Sequence, residues 1–220
     1  MTFRTPIADR WRGAAAALLT GLLLTATACT GGQASPSAEP PAGSPATSAS
    51  ATPTPTPTPT PTASYKPADA TGRAQNVPVP VLPEAAKAQT KEGLEAFARY
   101  WYQLLNYAYE TGDLSRISSI SSGTCALCGK VFPGIKTWNA EGKWIVGGTV
   151  TVLAVQSTFV RTAAGNFQVA VQSQQRSGSL KNADGSDGQT VEESEILGDL
   201  MVANYEKGSW TVQNVDRLGS

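Results

Sequence analysis

Thr52 to Thr62 is a strict Thr-Pro alternation, and it limits where in this chain a fold can begin. Each proline lacks a backbone donor and pushes the residue before it out of the helical region, so the run cannot be helical. From about Thr30 to Ala63 the composition is Ser, Thr, Ala, Gly and Pro. Almost no apolar side chain is present there to offset about 1–2 kcal/mol of backbone entropy per residue. Residues 29–64 are therefore expected to be a disordered linker. Its prolines favour extended polyproline II, which gives a reach on the order of 100 Å. A spacer is the simplest use of such a tract, although Ser and Thr with Pro also mark glycosylated stalks and ligands for proline-binding domains. Residues 65–220 remain for one domain, and they hold every tryptophan except Trp11.

The chain opens with Arg4, Arg10 and Arg12, followed by an apolar run from about Gly13 to Leu24 and then small residues. That order is the tripartite pattern of a signal peptide, expected over residues 1–28. The run falls short of the roughly 20 apolar residues of a membrane span and is interrupted by Thr20 and Gly21. Trp11 separates Arg10 from Arg12, so the twin-arginine signature is missing and the general secretory route is favoured. Ala26-Thr27-Ala28-Cys29 resembles a bacterial lipobox. The resemblance implies cleavage before Cys29, lipid on Cys29, and a place at the extracytoplasmic face of the cell membrane. Ala26 stands where that family most often has Leu, and the same residues satisfy the Ala-x-Ala rule for ordinary secretion. Both readings cut before Cys29, and they differ in whether the product is anchored or released.

Val77 to Pro83 is an extended, proline-punctuated lead-in. From Glu84 to about Glu110, residues Leu94, Phe97, Trp101, Leu104, Leu105 and Ala108 recur at steps of three and four, which predicts one long helix. Gly112 suits its left-handed end, and Asp113 suits the N-cap of a short helix carrying Leu114, Ile117 and Ile120. Cys125 to about Trp138 reads as a third helix, bent or divided at Pro133-Gly134. After Gly142 the period shortens to two. Trp144 to Val160 reads as one long strand, and Phe167 onward as its partner across the Ala163-Ala164-Gly165-Asn166 turn. Ser177 to Gln189 reads as a polar hairpin loop, and Ile196 to Glu206 pairs with Trp210 to Val215 around Lys207-Gly208.

Helices followed by an antiparallel sheet make an α+β class. The order, closing on Glu206-Lys207-Gly208-Ser209-Trp210-Thr211-Val212, resembles the cone-shaped nuclear transport factor 2-like fold. That resemblance implies three N-terminal helices packed on a curved antiparallel sheet of about four strands, preceded by the disordered linker. The lipobox, the stalk and the segments Val81-Leu82-Pro83-Glu84, Tyr107-Ala108-Tyr109-Glu110-Thr111-Gly112-Asp113 and Cys125-Ala126-Leu127-Cys128 resemble an actinobacterial lipoprotein family with a domain of unknown function. This second resemblance carries no catalytic residues. In the cone fold the long helix and concave sheet enclose a pocket, so Phe97, Trp101 and Leu105 become candidate pocket-lining residues. Tyr100, Tyr107 and Tyr109 lie on the same helix, where core packing is the commoner role for an aromatic stripe.

Cys125 and Cys128 are spaced for a small disulfide ring, and exported proteins meet oxidising conditions. A redox site of the thioredoxin kind would follow a strand within a βαβ unit, whereas this pair lies among helices. A structural disulfide is expected. Zinc at the pair would need further ligands, and the chain has no histidine. The same lack removes Ser-His-Asp and Cys-His catalysis. Gly123 to Lys130 misses the phosphate-loop spacing by one residue, and Asp184-Gly185-Ser186-Asp187-Gly188 reads as a turn rather than a calcium loop. The 17 basic and 17 acidic side chains cancel without a basic block, which excludes a nucleic-acid footprint.

The expectation is a non-enzymatic envelope domain without metal or cofactor. Its partners would be the membrane, through lipid on Cys29, and a cell-envelope protein or small apolar ligand. Two enzyme readings stand beside it. One is an isomerase or cyclase using a pocket carboxylate, for which Asp113 and Asp199 are candidates. Asp113 reads more simply as an N-cap and Asp199 as a strand-surface residue. The other is an envelope thiol-disulfide oxidoreductase using Cys125 and Cys128.

Overall fold

Pro78, Pro80 and Pro83 hold off the first helix, and only a single 3-10 turn, Glu84–Lys87, forms before Ala88 returns to an extended conformation. This is a computed structural model describing residues 63–219, all within the unit Pro57–Ser220. The expected signal peptide, Cys29 and the expected linker up to residue 62 lie outside the described residues. Helix α1, Lys91–Thr111, starts later than its periodicity predicts because Thr90 caps it, Oγ1 accepting from the Gly93 N–H at 3.0 Å. It ends at Gly112, whose φ of 78° closes the last turn with a hydrogen bond to the Ala108 carbonyl. Helix α2, Ser115–Ser119, has Leu114 rather than Asp113 at its N-cap, and the Asp113 carboxylate accepts from the Ser115 N–H one step further out. Helix α3, Ala126–Trp138, continues through Pro133.

Seven strands follow: β1 Trp144–Gly147, β2 Val150–Gln156, β3 Phe167–Gln175, β4 Gly178–Lys181, β5 Asp187–Val191, β6 Leu197–Glu206 and β7 Ser209–Arg217. They form two antiparallel sheets, one ordered β2-β3-β6-β7 and one ordered β1-β4-β5. The expected cone, three helices on one curved sheet of about four strands, is overturned. Its failure begins at Gly147 and Gly148, whose φ values of 71° and 67° place two successive residues in the left-handed region. There the predicted strand Trp144 to Val160 breaks into β1 and β2, which enter different sheets. Its second error is the supposed loop from Ser177 to Gln189. Leu180 and Lys181 are buried within it, and Lys181 pairs with Asp187 across the turn, so polar residues conceal β4 and β5.

The four-stranded sheet turns Phe167, Val169 and Val171 of β3, Met201 and Ala203 of β6, and Trp210, Val212 and Val215 of β7 against the apolar face of α1. At one end Phe97, Phe159, Phe167 and Tyr205 surround Trp210, whose Nε1 donates to the Ala88 carbonyl at 3.1 Å. The outer edge of β7 is covered, because Ser122 N–H donates to the Val212 carbonyl and Val212 N–H to the Ile120 carbonyl. The segment that begins at Tyr65 is also tied down. Tyr65 donates to Glu110 at 2.8 Å, Arg73 to the Asn139 carbonyl at 2.6 Å, and Trp144 to the Asp69 carbonyl at 2.9 Å.

Cys125 and Cys128 form a disulfide at the start of α3, and they are only 2% and 6% exposed. Closing so short a loop stabilises by about 2 kcal/mol through chain entropy. The Cys125→Ser, Cys128→Ser double variant is expected to lose that amount in urea unfolding, and reductant should shift the parent alone. Rapid exchange of the native disulfide with glutathione would contradict a structural role.

Candidate functional site

Along β6 the two-residue period that buries Met201 and Ala203 also buries Asp199, at 1% exposure. The expectation of a strand-surface Asp199 is therefore corrected. In register it lies opposite Val171 on β3 and Arg217 on β7, with Tyr102 of α1 packed above the same face. Three donors converge on the carboxylate. Tyr102 OH donates to Oδ2 at 2.8 Å, Ser173 Oγ to Oδ2 at 3.1 Å, and Arg217 Nε to Oδ1 at 2.9 Å. A buried carboxylate needs such partners, since an unpaired one would cost several kcal/mol. Burial, then the Asp199 charge and hydrogen bond, push the Tyr102 hydroxyl far above the usual tyrosine range, and the nearby Arg217 cation opposes this only in part. Burial also raises Tyr109, with a hydrogen bond from Gln175 working the other way.

This cluster forms one wall of a cleft of about 90 Å³, whose other wall is apolar and includes Leu105, Leu127, Val131 and Leu197. Small-molecule sites usually enclose about 300–1,000 Å³, so a drug-sized ligand does not fit as the cleft stands. A second opening, of about 210 Å³, lies between α1 and β2 beside Arg99, Gln103, Asn106 and Val152. Tyr102 and Val150 border both openings.

Of the candidate pocket residues, Leu105 lines the 90 Å³ cleft, while Phe97 packs against Trp210 and Trp101 is fully enclosed with its Nε1 on Ser121 Oγ at 2.8 Å. Tyr109 also lines the cleft, Tyr100 is buried in the core and Tyr107 is half-buried. Cys29 lies outside the described residues. Sequence reasoning missed Tyr102, Ser173 and Arg217 altogether. Asp199 shares its strand phase with Met201 and Ala203, but Leu200 and Val202 make the opposite phase equally apolar, so no sequence signal singled out its three partners. Among the described residues no group of His, Cys, Asp and Glu is placed to hold a metal ion, and no helix is long and apolar enough to cross a membrane.

Residues 63–216 match the model of a family described as a family of unknown function, DUF6318, and no enzyme family is indicated. No curated protein matches the chain. The solved structures that resemble it slightly include the following two. The intermembrane space region of the chloroplast protein ARC6 is 13% identical, covering 60% of this chain and 98% of that one at a TM-score of 0.38. Aln2 from a Streptomyces species is 7% identical, covering 57% of this chain and 89% of that one at a TM-score of 0.37. Likeness this slight carries no argument.

Proposed function

The chain belongs to a family whose function is unknown, and from that premise we propose that it is an extracytoplasmic lipoprotein of the actinobacterial kind, held to the membrane by lipid on Cys29. Its domain serves as a non-catalytic binding module for a cell-envelope protein or a small apolar ligand. The observation that carries the non-catalytic reading is the commitment of Asp199. Three of its roughly four lone-pair positions already accept from Tyr102, Ser173 and Arg217, and the residue is only 1% exposed, whereas a general base must present a free lone pair to its substrate. Burial of the Cys125–Cys128 disulfide likewise counts against thiol exchange, which requires an accessible sulfur. The small volume of the cleft favours a protein partner over a small ligand.

The anchor rests on Cys29 at the end of the leader and on the Thr-Pro tract behind it, since a spacer is most useful when its near end is fixed. Cys29→Ala keeps a site for ordinary secretion but removes the lipid acceptor. It is expected to move the protein from the membrane pellet to the culture medium, and retention in the pellet would count against the anchor.

A further inference from the structure

The β2 edge of the four-stranded sheet is capped at both ends and open between them. At Val150 the Asn106 side chain stands in for a neighbouring strand, Nδ2 donating to the carbonyl at 2.8 Å and Oδ1 accepting from the N–H at 2.7 Å. Past the other end, Glu95 Oε1 accepts from the Ser157 N–H at 2.9 Å. Peptide groups alternate direction along a strand, so the N–H and C=O of Val152 face the same way as those of Val150. On α1, Glu95, Arg99, Gln103 and Asn106 fall on successive turns, which sets Arg99 between the two caps. Arg99 is exposed in the 210 Å³ groove and has no hydrogen bond or ion pair among the described residues.

We propose that this groove receives a short extended peptide from a partner protein, an acidic residue flanked by apolar ones, added as a strand beside β2. Main-chain bonds to Val152 supply the attachment, and alternate side chains supply the selectivity. One side chain faces α1, where the Arg99 guanidinium awaits a carboxylate. Its two neighbours face the opposite side of the sheet, where Leu153 is 45% exposed. The register shift between Val152 and Ala154 limits the ladder to a short stretch, so the edge admits a brief segment without templating chain after chain.

The inference rests on the reading of the domain as a binding module, and it is tested independently of the lipid. Isotope-labelled mature chain is titrated with acetyl-Thr-Val-Glu-Val-Thr-amide and with the same peptide carrying Lys in place of Glu. The expected result is amide shifts centred on Val152 and Gln103 with the Glu peptide, weakened about tenfold or more by Arg99→Glu, as for the loss of a charged hydrogen bond. The Lys peptide should bind Arg99→Glu better than it binds the parent. Equal binding of the two peptides to the parent, or no shifts at all, would overturn the proposal. Shifts confined to the cleft lined by Leu127 and Val131 would overturn it too, while leaving the binding-module reading in place.

Discussion

Asp199→Ala is expected to lower the unfolding free energy by about 3 kcal/mol, because three groups lose their acceptor at once. The Tyr102 and Ser173 hydroxyls are both buried and would face an apolar void, each at a cost of about 1–3 kcal/mol. The Arg217 side chain is 37% exposed and can turn toward water, so its share of the loss is smaller. Asp199→Asn keeps one acceptor and should lose less. Tyr102→Phe removes one donor cleanly, and a double-mutant cycle with Asp199→Asn should show non-additivity, since the two side chains touch. Urea unfolding reads all of these. A loss below about 1 kcal/mol for Asp199→Ala would mean that the carboxylate is not the tie between α1 and strands β3, β6 and β7.

Alkaline pH should unfold the domain through Tyr102. Its native hydroxyl holds its proton well above the ordinary value of 10.0, chiefly because of burial. Below about pH 10 both native and unfolded chains are protonated there, and the contribution is fully present. Above it the unfolded chain releases the proton and the native one retains it. Stability then falls by about 1.4 kcal/mol per pH unit for this residue, or about 3 kcal/mol by pH 12. Tyr109, raised in the same direction, steepens the fall. Tyr65, pushed up to about 12 by partial burial and by Glu110, is 43% exposed and adds little. In urea unfolding from about pH 8 to about pH 12, Tyr102→Phe should flatten the slope by one proton. An unchanged slope would place that hydroxyl in solvent.

The elements written in local periodicity were the legible ones. Leu94, Phe97, Trp101, Leu104 and Leu105 mark α1, and Gly112 marks its end, because helix contacts are local. Sheet partition was not legible. Ile145, Val150 and Val152 look like parts of one continuous strand, and only the conformation of Gly147 and Gly148 separates them. In β4 and β5 the buried residues are Leu180 and Lys181, and a paired lysine gives no apolar signal. The Asp199 cluster was hidden for a different reason. β6 carries Leu200 and Val202 on one phase and Met201 and Ala203 on the other, so the residue types alone leave open which phase faces the core. Its partners come from one helix and two other strands, a non-local arrangement that no spacing records. Trp101 and Phe97 are pocket candidates only through the resemblance to the cone fold, and they lie in the core because the apolar arc of α1 is wider than the arc that borders a cleft.

The proposal that the domain works from the membrane is decided by the intact mass of the mature protein extracted from membranes. The expected mass is that of a chain beginning at Cys29 with acyl and glyceryl groups on that residue and with the Cys125–Cys128 disulfide formed. An unmodified chain beginning at Cys29 and recovered from the culture medium would contradict it.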